Sequence, residues 1–136
     1  MRILGIDHGE KRIGVSVSDP EEKMALGLTT LLFEKLMPDL KKIIQDYNIE
    51  KIVVGFPKNM QNTVGPAAQK AQQFSQQLEK TFHVPVVLWD ERLTSIQAEK
   101  SLMGIKMNYQ KKRTVVNELA AIHLLQNYLD FLKKKL

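Results

Sequence analysis

The sequence contains no cysteine. That excludes disulfide staples, zinc–thiolate sites and thiol nucleophiles, and it fits a reducing compartment. No apolar run approaches the roughly 20 residues that a membrane-spanning helix needs. The opening stretch MRILGIDHGEKRIG also lacks the unbroken apolar core of a signal peptide, because Asp7 interrupts it within a few residues. The expectation is a cytoplasmic protein with no membrane partner. Internal repeats, low-complexity tracts and linkers are missing as well, so residues 1–136 read as a single domain. A chain of that length buries roughly two-thirds of the surface its unfolded form exposes, which suffices for a core without staples.

What is present is an ordinary globular mixture, 43% hydrophobic and 26% charged, with a net charge of +5. An excess of positive charge favours polyanionic partners, although a solvated basic surface would have the same composition.

Along the chain the apolar period changes repeatedly. Residues 2–7 and 12–18 read as two strands of a hairpin, the second alternating Ile13, Val15 and Val17 with small residues. A third strand is expected over 25–31. Over 34–47, Leu36, Leu40, Ile43, Ile44 and Tyr47 share one helical face, with Pro38 in the first turn. The short apolar runs 51–55 and 84–89 read as buried strands. Between them, a turn-rich loop over 56–66 leads into a helix that begins at Pro66. Thr94 and Gln97 resemble a capping box for a helix reaching about residue 103. Residues 104–113 carry four positive charges with no helical period and read as a loop, and 114–134 form the last helix. Hairpins followed by βαβ crossovers predict an α/β fold, a mixed sheet with helices on both faces.

Asp7 ends one predicted central strand, and Asp90 with Glu91 ends another. Ligands of open α/β sheets gather at the carboxyl ends of strands, so three carboxylates distant in sequence can converge there. Converging carboxylates repel unless a cation separates them, and Mg²⁺ and Mn²⁺ favour oxygen ligands. Two such ions about 4 Å apart support phosphodiester hydrolysis. The plainer alternative is that Asp90 only caps a turn and Glu91 only pairs with Arg92.

Four ordered motifs bear on this choice. They are Asp7-His8-Gly9-Glu10-Lys11-Arg12-Ile13-Gly14-Val15 with Ser18-Asp19, and Gly55-Phe56-Pro57-Lys58-Asn59-Met60 with Gly65-Pro66. Then come Asp90-Glu91-Arg92-Leu93-Thr94, and Leu119-Ala120-Ala121 followed by Leu125-Gln126-Asn127-Tyr128-Leu129-Asp130. Together they resemble the YqgF family over nearly the whole chain. The resemblance implies an RNase H-like three-layer fold with a central five-stranded mixed sheet, related to the RuvC resolvases. It implies a hydrolase that cuts nucleic-acid phosphodiesters with Mg²⁺ or Mn²⁺. It also implies a role in maturing the 5′ end of the 16S rRNA precursor or, alternatively, in resolving Holliday junctions. Asp7, Asp90 and Glu91 would be catalytic residues and metal ligands.

Two positions depart from the family. The family usually carries Asp where this chain has Asn117, followed by Glu118. Asn offers a neutral oxygen and no charge, and Glu118 is rotated about 100° around the helix. Either Asn117 is a weaker ligand, or Glu118 reaches in, or the protein is a poor enzyme. Asn62 stands where the family often has Gly.

Lys11, Arg12, Lys58, Asn59, Arg92, Lys111, Lys112 and Arg113 are the candidates for nucleic-acid contact; solvated turns or structural ion pairs are the alternatives. His123 reads as a core histidine, and Trp89 as packing. The functional expectation is therefore a metal-dependent nuclease acting on an RNA precursor or on branched DNA, as a monomer or homodimer. The rival is a non-catalytic RNA-binding factor of ribosome assembly, motivated by Asn117. An actin-like ATPase also opens with an Asp-x-Gly hairpin, but it needs two such domains.

Overall fold

The structure is a computed structural model, and it describes residues 2–8, 12–56, 66–90 and 109–135. Five strands, β1 (Arg2–His8), β2 (Arg12–Ser18), β3 (Ala25–Leu32), β4 (Ile49–Phe56) and β5 (Val86–Asp90), form one sheet in the order β3-β2-β1-β4-β5. The first three form an antiparallel meander, and β4 and β5 then add in parallel to β1. The mixed sheet expected from hairpins followed by crossovers is thus present. Among the described residues, three helices accompany it: α1 (Leu36–Asp46), α2 (Pro66–Phe82) and α3 (Tyr109–Lys135).

The two sheet faces bury different sets of residues. Strand alternation sends Leu4, Ile6, Ile13, Val15, Val17, Ile52 and Val54 to one face, where Leu36 and Leu40 of α1 and Phe74 and Leu78 of α2 complete a core. The opposite face presents Ile3, Val53, Val87 and Trp89 to Leu125, Tyr128 and Leu129 of α3. Pro38 lies in the first turn of α1, where its missing N–H removes no helical bond.

Side-chain hydrogen bonds fix α3 to the meander. The Ser16 hydroxyl donates to the Ala121 carbonyl at 2.7 Å. The Gln126 side-chain oxygen accepts from the Ala25 N–H at 2.9 Å, and its amide nitrogen donates to the Lys23 carbonyl at 3.1 Å.

Helix α3 starts earlier than the sequence suggested. Residues 109–113, expected in a basic loop, belong to it, so the charges on Lys111, Lys112 and Arg113 extend a helix. The sequence lacks a helical apolar period there, and a polar first turn and a half can be carried by the long packed helix behind it. The expected helix over 94–103 and the loop residues 57–65 and 104–108 lie outside the described residues. No described helix is long and apolar enough to cross a membrane.

Candidate active site

Asp7 sits one residue before the end of β1, the middle strand of the five. Its register partners are Gly14 on β2 and Gly55 on β4. Opposed residues in a sheet share a face, and Gly14 shares that of Ser16, which bonds α3. The Asp7 carboxylate therefore belongs to the α3 side of the sheet. With glycine on each side, its own row offers no neighbouring side chain to wall it in. The residue is only 8% exposed. Yet among the described residues no side-chain hydrogen bond and no ion pair reaches its carboxylate. A carboxylate drawn out of water at a strand end is the kind of group that a cation or a positively charged side chain stabilises.

Helix α3 approaches this point unusually closely. A Cβ placed on Gly14 would lie 2.6 Å from the Asn117 carbonyl carbon and 3.3 Å from the Glu118 nitrogen, with the Asn117 oxygen nearer still. One placed on Gly5 would meet Ser16 Oγ at 2.5 Å and Leu125 Cβ at 2.9 Å. Gly5, Gly14 and Ser16 thus form a shallow corridor into which the helix backbone settles. The local sequence signal for it was the alternation of small residues along β2, visible beforehand but readable only as a strand.

Helical spacing separates Asn117 from Glu118. Asn117 is four residues before Ala121, whose carbonyl lies over Gly5 and Ser16, so it belongs to the stripe above β1 and β2. Glu118 is four residues before Ile122, which lies over Gly27 on β3, in the stripe that continues to Gln126. Both are half-buried.

Asp90 ends β5 opposite Phe56 of β4, one step beyond the level of Asp7, Gly55 and Trp89. Two strand spacings separate its Cα from that of Asp7, about 10 Å. Because β1, β4 and β5 are parallel, both acidic residues stand at the same edge of the sheet. Among the described residues no three acidic or histidine side chains form a metal-binding group. Glu91, Arg92, Lys11, Lys58, Asn59 and the side chains of Asp90, Lys111, Lys112 and Arg113 lie outside the described residues. Arg12 is half-buried at the start of β2, at the same edge as Asp7.

Other motif residues turn out to be architectural. The Ser18 hydroxyl accepts from the Ile3 N–H at 2.8 Å, clamping β1 to β2. Asp19, at the opposite edge from Asp7, accepts from the N–H groups of Lys23 and Met24 at 2.7 and 3.1 Å. Those two backbone bonds, led by Lys23, hold its carboxyl below the usual range. His123, expected in the core, is half-buried.

A family model described as "RuvX: Holliday junction resolvase" matches residues 1–131. This chain belongs to the RuvX family. RuvX and YqgF denote one family, so the resemblance read from the four motifs holds. A Bacillus subtilis (strain 168) relative, 47% identical, is covered at 97% of this chain and 99% of its own. A Bacillus licheniformis relative is 46% identical at the same coverage, and one from Desulfitobacterium hafniense is 43% identical over 99% and 96%. Each carries the name "Putative pre-16S rRNA nuclease". Among solved structures, RuvC of T. thermophilus bound to a Holliday junction aligns with a TM-score of 0.59 at 15% identity, covering 98% of this chain and 96% of that one. The fowlpox virus Holliday junction resolvase aligns at 0.58 and 12% identity, over 97% and 99%. These likenesses show the RuvC-like RNase H fold expected of a YqgF relative.

Proposed function

We propose that this RuvX-family protein is a metal-dependent nuclease that hydrolyses nucleic-acid phosphodiesters, acting in 5′-end maturation of the 16S rRNA precursor. The observation that carries the reading is Asp7: a buried carboxylate, unpartnered among the described residues, at the carboxyl end of the central strand. The names of relatives at 43–47% identity over essentially the whole chain support it.

The donor set fits a hard divalent cation, Mg²⁺ or Mn²⁺. It is all oxygen, with Asp7 as principal ligand, Asp90 and Glu91 from the end of β5 and Asn117 from α3. Between the two α3 candidates this reading takes Asn117, because Glu118 shares its helical stripe with Ile122, which lies over Gly27. A bound cation would supply positive charge to the pentacoordinate transition state and lower the pKa of the attacking water. The protein's own contribution is positional. β1 fixes Asp7, and the glycine corridor fixes the height of α3. Arg12, Lys11, Lys58, Asn59, Arg92, Lys111, Lys112 and Arg113 would take neighbouring phosphates, whose geometry suits the Arg forks in particular. The residues 1–136 act as one domain in the cytoplasm, without a membrane partner.

A second reading follows from Asn117. A neutral ligand weakens cation binding, and a protein with that deficit could serve as an RNA-binding assembly factor without cutting. One experiment separates these readings and also tests Holliday junction resolution. End-labelled precursor-like RNA and a four-way DNA junction are incubated with the protein, with Mn²⁺, Mg²⁺ or chelator, beside Asp7→Asn. Cation-dependent cleavage of RNA that vanishes in Asp7→Asn is expected. Cleavage of the junction alone would make it a resolvase. Binding without cleavage would make it an assembly factor.

A further inference from the structure

Trp89 is the one tryptophan in the sequence, and it stands in the cross-strand row that holds Asp7. The row runs Gly14, Asp7, Gly55, Trp89. Asp7 and Trp89 share the α3 side of the sheet. Between them is Gly55, which has no side chain, so no other side chain of the row stands in the two strand spacings, about 10 Å, that separate them.

The indole is held from the helix side. Its centroid is 5.2 Å from that of Tyr128 at an interplanar angle of 84°, and 5.1 Å from that of Phe131 at 55°. Tyr128 is itself anchored, since its hydroxyl accepts from Lys51 Nζ at 3.1 Å. The ring is thus oriented by two others. Nevertheless it is only partly buried, and Phe131 is 38% exposed, because β5 is an edge strand. Rigid, partly exposed rings of this kind offer contact area at little entropic cost.

We infer that Trp89 is a stacking platform for an unpaired nucleobase next to the phosphodiester held at Asp7. The inference rests on the nuclease reading for where that phosphate sits. The span of about 10 Å across Gly55 suits the base of a nucleotide flanking the phosphate. A base inside a duplex has both faces already stacked, so the site selects single-stranded or splayed nucleotides. Stacking on an aromatic ring is tolerant of base identity, so the platform confers strand-state preference and not sequence preference.

The lone indole is also the reporter. In chelator, where no cleavage occurs, a short single-stranded RNA should quench the Trp89 emission on binding. The same oligomer with abasic sites should bind more weakly and quench little. Anisotropy of a labelled oligomer should show Trp89→Leu binding about tenfold more weakly and Trp89→Phe within about threefold of the parent. Thermal melts of both variants show that they fold, and Trp89→Phe keeps the test valid if Trp89→Leu does not. Oligomer binding with unchanged emission, or Trp89→Leu binding as tightly as the parent, overturns the inference. Quenching without cation-dependent cleavage leaves the platform standing and overturns the nuclease. Cleavage without quenching does the reverse, and neither binding in chelator nor cleavage with cation overturns both.

Discussion

Replacing Gly14 by alanine tests whether the helix height sets the site. The backbone of Gly14 is not left-handed, so the glycine is needed for space and not for conformation. The new methyl would stand 2.6 Å from the Asn117 carbonyl carbon, where ordinary van der Waals contact begins at 3.4 Å. The α3 backbone at Asn117 must therefore retreat by about 0.8 Å, more for the oxygen, and backbone cannot swing aside as a side-chain tip can. Overpacking of this kind costs roughly 1–3 kcal/mol, offset by the roughly 0.4–1 kcal/mol that alanine gains over glycine through the unfolded chain. Gly27→Ala is the control, because its methyl would meet only the end of the Ile122 side chain, at 3.0 Å. Urea unfolding should show Gly14→Ala less stable by about 1–2 kcal/mol and Gly27→Ala within about 0.5 kcal/mol of the parent. Because Asn117 rides on the same contact, cleavage by Gly14→Ala should fall by about a hundredfold at saturating Mn²⁺, the usual toll of a 1 Å misplacement. Equal stability for Gly14→Ala and the parent, or equal loss for both variants, would refute the argument.

Three other outcomes are expected. Asn117→Asp should lower the Mn²⁺ concentration needed for half-maximal cleavage by about tenfold or more, whereas Glu118→Gln should leave it unchanged; a metal titration of the two variants decides which residue faces the site. Glu22 has its pKa raised above 4.5 by the hydrogen bond to Glu50, then by burial and by the Glu50 charge. A raised folded-state value means stability present below pH 4.5 that is lost as pH rises through it, so Glu22→Gln should melt higher than the parent at pH 7 and alike at pH 4. His83 follows α2 with φ 57°, a left-handed conformation, while its N–H bonds the Glu79 carbonyl. His83→Gly should stabilise by roughly 0.5 kcal/mol in denaturant melts, the relief of αL strain exceeding the entropy that glycine loses.

Sequence period alone carried much of the fold. The alternation in β2 and the helical stripe of α1 mark elements whose buried faces are continuous, so local pattern and tertiary packing agree. It failed at residues 109–113, where no apolar period exists and the helix persists because the segment behind it is packed. At the site, Asp7 was legible because a strand-end carboxylate in an apolar run is costly, and its company in the row was not. That Gly14 makes room for Asn117 is a fact of helix-on-sheet packing and that Gly55 separates Asp7 from Trp89 is a fact of register, and both join residues distant in sequence. The Ser18-Asp19 pair shows the converse. It stands in the same motif as Asp7 but serves the turn and clamp at the other edge of the sheet.

The Ser16–Ala121 hydrogen bond joins residues 105 positions apart. During synthesis at about 5–20 residues per second, the β1–β3 meander would leave the ribosome several seconds before α3 exists to cover it. By the end of that interval α1 and α2 can close one side of the sheet, while Ile3, Val53 and the glycine corridor on the other side still await α3. The nascent chain is then a half-built sandwich with an adhesive face, the form in which a chaperone would find it, and the surroundings of Asp7 are completed only in the final act of folding.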